Sequence, residues 1–263
     1  MNMANFGKSI ALGLFATMVL FVLSCQKREK ITSLGQLEDK TFGVVTGTVA
    51  DQLVLSRFPK AKLTYYNSAL DAALAVKAGK ADAAGYDEPI LRNIAARNPG
   101  LLVLPERITT DQYGFAVQQG RQDLKRNIDL VVDELKKAGT YEAMIQRWLP
   151  KFGSPAPMPE VGSKGSQGVL RLGTSAVNEP FAFVDASHQV VGFDVELARY
   201  IAQKLDKTLE VVNMEFGALI PSLIAGKVDM IAACITITQE RAKKVLFSEP
   251  YYTGGISALV KEQ

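Results

Sequence analysis

Apolar positions along the chain alternate between two periods. The stretches KTFGVVTG (40–47) and AKLTYY (61–66) are short, apolar and β-rich, which predicts strands. SALDAALAVKAG (68–79) repeats its apolar positions every three to four residues and predicts an amphipathic helix ended by Gly79. KADAAGYDEPILRNIAARNPG (80–100) predicts strand, turn and helix, with Pro89 at the helix start and Asn98-Pro99-Gly100 as its stop. A strand at QYGFAVQQ (112–119) and helices from about Asp123 to Lys137 and from Thr140 to Leu149 follow. The pattern then breaks over 151–168, where Pro155, Pro157 and Pro159 precede Gly162, Gly165 and Gly168 among serines. Such a segment buries too little apolar surface to fold and is expected to be a linker.

The periodicity resumes at VLRLGTS (169–175), a strand, and continues with a hairpin at FAFVDASHQVVGF (181–193) and the helix DVELARYIAQKL (194–205). LEVVNM predicts a strand, ALIPSLIAG a helix, VDMIAACITI a strand, a helix starts near Gln239, and ISALV is a closing strand. Strands alternating with helices of this length imply an α/β layered architecture.

The chain has 263 residues, with 30 Lys+Arg against 27 Asp+Glu for a net charge of +3. A charge that small and scattered argues against a nucleic-acid surface. A single histidine, His188 in the polar turn DASHQ, gives metal binding little support and no cofactor is implied. The N-terminal segment has Lys8 in a polar start, an apolar run from Ile10 to Leu23, and Ser24-Cys25. That run falls short of the ~20 residues that span a bilayer, so it reads as an export signal. Cys234 is the one other cysteine, which leaves no internal disulfide once the signal is removed.

Several stretches carry a family resemblance. LRLGTSAVNEPFAFVDASHQVVGFDVELARYIAQKL and EFGALIPSLIAGKVDMIAACITITQERAKKVLFSEPYYTGG resemble the first lobe of the solute-binding proteins of polar amino-acid ABC importers. LEDKTFGVVTGTVADQL, ADAAGYDEP, QYGFAVQQG and AGTYEAMIQRWLP resemble the second lobe and closing helices. The resemblance implies a two-lobed type II periplasmic-binding-protein fold, here circularly permuted, because the RWLP-like helix precedes the GTS-like strand. The implied organisation is a lipoprotein signal peptide (1–25), a tether (26–33), lobe 2 (34–111), a closing part of lobe 1 (112–150), the linker (151–168) and the main part of lobe 1 (169–263). VLSC resembles a lipobox, which implies acylation of Cys25 and a lipid-anchored, extracytoplasmic protein. The permuted order leaves one covalent crossing between lobes and places Gln263 near Ile31 at their junction. A monomer is expected, with a domain-swapped dimer as the alternative.

Three places suit the charges of an amino acid. In TITQER (236–241) Thr238 can cap a new helix whose free N–H groups favour an anion, and Arg241 adds a bidentate fork. Asp87 precedes Glu88-Pro89, where an aspartate is commonly a helix N-cap. In TGTVADQL, Gly47 makes a tight turn. The resemblance implies that Arg241 anchors the ligand carboxylate, that Asp87 and Thr236 receive the ammonium, and that Thr46, Thr48 and the Val49 amide contact the carboxylate from lobe 2. It also implies side-chain selection by Phe216, Asn178, Ser175 and Phe181 beside Ala233 and Cys234. A core position is the other reading of Phe181. Ser175 stands where many members carry an acid, which argues against a lysine or arginine specialist. The implied function is binding of a polar amino acid for an ABC permease, without catalysis. The alternatives are a dehydratase-like enzyme on the same fold, with Glu88 as its proton-transfer group, and a sensing module for another membrane protein.

Overall fold

A computed structural model describes residues 30–149, 157–162 and 164–262. The signal segment, Cys25, the first half of the tether (26–29) and parts of the linker lie outside the described residues. Up to the linker the elements are β1 (Thr41–Val45), α1 (Ala50–Arg57), β2 (Lys62–Tyr66), α2 (Ala69–Lys77), β3 (Ala83–Asp87), α3 (Glu88–Arg97), β4 (Leu101–Arg107), β5 (Asp111–Tyr113), β6 (Ala116–Val117), α4 (Gln122–Lys137) and α5 (Thr140–Trp148). Beyond it come β7 (Val169–Thr174), β8 (Val177–Asn178), β9 (Ala182–Val184), β10 (Val190–Val191), α6 (Phe193–Lys204), β11 (Thr208–Asn213), α7 (Leu219–Ile224), β12 (Met230–Ile231), α8 (Gln239–Ala242), β13 (Leu246–Phe247), β14 (Tyr252–Gly254) and β15 (Ile256–Lys261).

These elements form two α/β lobes. The sheet of lobe 2 has the order β2-β1-β3-β15-β4, with β1 parallel to β2 and β3, and β15 antiparallel to β3 and β4. The sheet of lobe 1 has the order β11-β7-β12-β6-β13, with β7 parallel to β11 and β12. Strands β1 and β3 are buried almost throughout, as expected of parallel strands covered on both faces. The helices are punctuated by local chemistry. The Ser68 hydroxyl accepts from the Asp71 N–H at 3.1 Å to cap α2.

Each lobe draws on both halves of the chain, and this alters the expected boundaries. Strand β15, expected in the main part of lobe 1, runs between β3 and β4 in lobe 2. Its nearly continuous apolar run suits a strand buried in either sheet, and the pairing Ile256↔Asp87 through Val260↔Ala83 selects this one. The predicted strand QYGFAVQQ divides at Gly114. Its first part, β5, pairs with β14 in a two-stranded ribbon, and its second part, β6, enters the lobe 1 sheet. Two covalent segments, 108–115 and 248–255, therefore connect the lobes, rather than one. Glu262 donates its N–H to the Gly100 carbonyl at 2.9 Å, so the described end of the chain lies at the lobe 2 edge remote from the cleft and not at the junction.

The end of the linker is docked. Ser166 donates its N–H to Asp206 Oδ1 at 3.1 Å, Gln167 donates its N–H to the Asp206 carbonyl at 2.7 Å, and Val161 is buried. Helix α5 is fixed to α6 by a buried polar cluster. Glu196, fully buried, accepts from Arg147 Nη1 at 2.8 and 3.0 Å and from Trp148 Nε1.

Candidate functional site

The carboxyl-terminal ends of β1, β3 and β7 point into a cleft between the lobes, the usual location of a ligand in open α/β sheets. The lobes approach closely there. An added Cβ at Gly47, whose φ is +78°, would stand 3.2 Å from Gly217 Cα on the opposite lobe. Asn178 Oδ1 accepts from the Tyr86 hydroxyl at 3.2 Å, and Glu179 accepts a two-pronged bond from Arg97, one arm at 2.6 Å. Tyr86 and Arg97 belong to lobe 2, and Asn178 and Glu179 to lobe 1.

At the centre, a cavity of about 10 Å³ is lined by Asp87, Arg241, Thr236, Phe216, Thr48 and Val49, together with Cys234 and Tyr86. Arg241 rises from α8, whose N-terminus is capped by the Thr238 hydroxyl accepting from the Arg241 N–H at 3.2 Å. Its Nη1 donates to the Thr236 carbonyl at 3.0 Å and its Cζ lies 5.5 Å from the Phe216 ring centre. Burial lowers its pKa and the nearby Asp87 opposes that shift. No carboxylate forms an ion pair with it among the described residues.

Asp87 occupies the N-cap position of α3 without capping it. Its Oδ1 accepts instead from the Tyr113 hydroxyl. Burial pushes its pKa up to about 7; the Tyr113 bond and the Arg241 charge lower it, and Asp111 raises it. The Thr48 hydroxyl donates to the Val45 carbonyl at 2.8 Å and accepts from the Ala50 N–H at 3.3 Å, so its proton serves the loop. The neighbouring Val49 N–H donates to no group among the described residues.

A second cavity of about 240 Å³ adjoins the first across Phe216 and is lined by Thr46, Ser68, Ser175, Asn178 and Glu215. The structure thus brings Arg241, Asp87, Thr236, Thr48, Val49, Phe216 and Cys234 to one cavity and Thr46, Ser175 and Asn178 to the next. Two of the expected residues are placed elsewhere. Phe181 is fully buried in an aromatic cluster with Tyr113, Phe193 and Tyr252, at 6.0, 6.0 and 5.2 Å between ring centres. Ala233 packs beneath lobe 1 with Leu219 and Leu223.

Glu88 does not face the chemistry required of an acid catalyst. Arg92 Nε donates to its Oε1 at 2.6 Å and Arg107 Nε to its Oε2. Burial works against its ionisation, but these two bonds outweigh it and hold the carboxyl below the usual range. His188 stays in its exposed turn at φ +60°.

Two groups were not legible in the sequence as part of the site. Tyr113 appears there as an ordinary inward-facing aromatic. Asp194 looks like a helix-start acid, yet it is fully buried and its Oδ2 accepts from the Cys234 N–H at 3.1 Å, holding that residue at φ +52° on the cleft rim. Burial pushes its pKa up to about 7; the Tyr251 hydroxyl beside it counters this, although Oδ1 and that hydroxyl do not meet in ordinary hydrogen-bond geometry.

Comparison with known proteins places this cleft in context. The family described as "Bacterial extracellular solute-binding proteins, family 3" matches residues 170–263. The "Arginine-binding extracellular protein ArtP" of Bacillus subtilis (strain 168) is 42% identical over 92 residues, covering 35% of this chain and 36% of that protein. The "ABC transporter arginine-binding protein 1" of Escherichia coli (strain K12) is 34% identical over 93 residues, covering 35% and 38%. A solved structure of "An ancestral arginine-binding protein bound to arginine" is 48% identical over 33% of this chain and 38% of its own, with a TM-score of 0.32. The chain spans little more than a third of the length of the curated relatives it matches. Both relatives are named as arginine-binding proteins, the second of an ABC transporter. Residues 170–263 are thus similar to the bacterial extracellular solute-binding proteins of family 3.

Proposed function

We propose that this protein is an extracytoplasmic receptor that closes its lobes around one polar amino acid and delivers it to an ABC permease. The observation that carries this reading is the convergence of Arg241 and Asp87, from opposite lobes, on one small cavity. Among the described residues, Arg241 has no ion-pair partner and Asp87 accepts a side-chain hydrogen bond on one oxygen only, which matches the two charges of an amino-acid backbone, each of which needs a partner once water leaves. The ligand carboxylate is assigned to Arg241 and the Val49 N–H, and its ammonium to Asp87, with Thr236 beside it.

Ser175, Asn178, Thr46 and Ser68 offer the ligand side chain neutral polar groups, and the one carboxylate at that cavity, Glu215, is exposed. This favours an uncharged polar side chain, although arginine is named for the relatives above. The order of the two halves fits a circular permutation, since strands from both complete each sheet. Attachment through an acylated Cys25 rests on the VLSC ending. The two connecting segments favour a monomer over exchange of lobes between chains. A dehydratase loses its support with Glu88 neutralised by two arginines; a sensing role would use the same closure.

The test is a thermal-shift screen of the common amino acids with L-arginine and L-glutamine in parallel. A ligand at 100 times its Kd stabilises by ~2.7 kcal/mol, a readily measured shift. A flat response across all amino acids at millimolar concentration overturns the reading.

A further inference from the structure

Tyr113 sits on β5, in the ribbon that connects the lobes, and is fully buried between the rings of Phe181 and Tyr252. A tyrosine so deep needs a partner for its hydroxyl. This one has two. The O–H donates to Asp87 Oδ1, and its oxygen accepts from the Gly255 N–H at 3.2 Å. The backbone of the same residue bridges to Thr236 and accepts from the Tyr251 N–H at 3.0 Å. The glycine at 254 makes room for the phenol. A Cβ on Gly254 would stand 2.4 Å from the Tyr113 oxygen.

We propose that Tyr113 is the positioning residue of the ammonium site: it occupies one oxygen of Asp87, fixes the rotation of the carboxylate, and leaves Oδ2 aimed at the ligand. This deepens the amino-acid reading and rests on it where the ligand is concerned. A carboxylate has two acceptor oxygens, and a bond to one of them orients the other. No other side chain among the described residues donates to Asp87. A hydrogen bond to a charged acceptor also stabilises the anion. Tyr113 thereby opposes the burial that favours the neutral acid. The other groups around Asp87 act at longer range. Asp111 on β5 and Asp194 on α6 disfavour its charge, Arg241 on α8 favours it, and Tyr86 on β3, Tyr252 on β14 and the Cys234 thiol stay neutral because burial raises their pKa values.

The experiment uses Tyr113→Phe, which keeps the ring and removes the hydroxyl, in the full chain. The carboxyl carbon shift of Asp87, followed by NMR against pH without ligand, is expected to titrate roughly one unit higher than in the parent, the size of a charge-assisted hydrogen bond. Affinity for L-glutamine or L-arginine, whichever binds the parent, is expected to fall roughly fivefold at pH 7 and to recover at pH 8.5, as the ionised fraction of Asp87 does. A merely structural role would lower affinity equally at both pH values. Replacing Tyr113 by 3-fluorotyrosine, a stronger donor, is expected to move the titration down, and it serves as the test if the phenylalanine variant does not fold. An unchanged midpoint, or shifts of the same sign in both variants, overturns the proposal. If the midpoint moves as expected but neither probe binds the parent, the hold of Tyr113 on Asp87 is supported and the amino-acid reading fails separately.

Discussion

Removing Arg147 tests how α5 is held to lobe 1. Its guanidinium places two hydrogen bonds on Glu196, whose side chain has 0% exposure against 22% for that of Arg147. Arg147→Met keeps the aliphatic stem but leaves a buried carboxylate with only the Trp148 N–H as donor. Stripping one partner from a buried pair costs ~3–5 kcal/mol, and the surviving Trp148 bond places this case near ~3 kcal/mol. With a urea m-value of ~2–3 kcal/mol/M, the unfolding midpoint should fall by ~1–1.5 M. The chain has one tryptophan, Trp148 itself, so its fluorescence reports this contact directly. Arg147→Met combined with Glu196→Leu removes both charges and should recover at least half of the loss, because an apolar replacement of a buried pair is often neutral. A midpoint shift below ~0.3 M for Arg147→Met, or strict additivity in the double variant, would show that the Arg147–Glu196 pair does not hold α5 to lobe 1.

Calorimetry with the amino acid found by screening should show Arg241→Ala and Asp87→Ala each weaker by ~3–5 kcal/mol, both still folded; binding within about threefold of the parent rejects the assignment. The Arg97–Glu179 pair joins the lobes but Arg97 is 55% exposed, so Glu179→Gln should favour opening by at most ~1 kcal/mol, and a radius of gyration by X-ray scattering that never exceeds the parent's contradicts that. Asp87 and Asp194 both titrate near 7 in the folded protein against 3.8 as the ordinary value. The native state therefore holds protons that the unfolded chain has lost between those pH values, and stability falls as pH rises through that window. Thermal unfolding at about pH 5 and pH 8 should show the parent more stable at the lower pH, and Asp194→Asn should flatten the difference; an unaltered difference counts against the burial argument. Finally, a chain reordered as 169–262 followed by 30–149 should fold to the same far-ultraviolet spectrum, and an unfolded product weighs against the permutation.

The α/β class, the alternation of strands and helices, and the Pro/Gly break after Trp148 are legible in the amino-acid order alone. Those features are local: side-chain periods of 2 and 3.6 and the backbone freedom of glycine are set by neighbours a few residues apart. TITQER was legible for the same reason, since Thr238 and Arg241 act within a single turn. Which strand joins which sheet emerges only from the packed fold. The apolar run ISALV would be buried equally well in either lobe, and its place beside β3 follows from partners more than 150 residues away. Phe181 carries nothing in its neighbours to say whether it lines a cleft or fills a core, and three rings from distant elements settled it into the core. Asp87 has the sequence setting of a helix cap, but the hydroxyl that engages it comes from the connecting ribbon, 26 positions on. Glu88 looks like a free acid until Arg107 reaches it from β4. Periodicity marks which face of an element is apolar, whereas the partner of a buried polar group is chosen by how the elements pack, which no local pattern encodes.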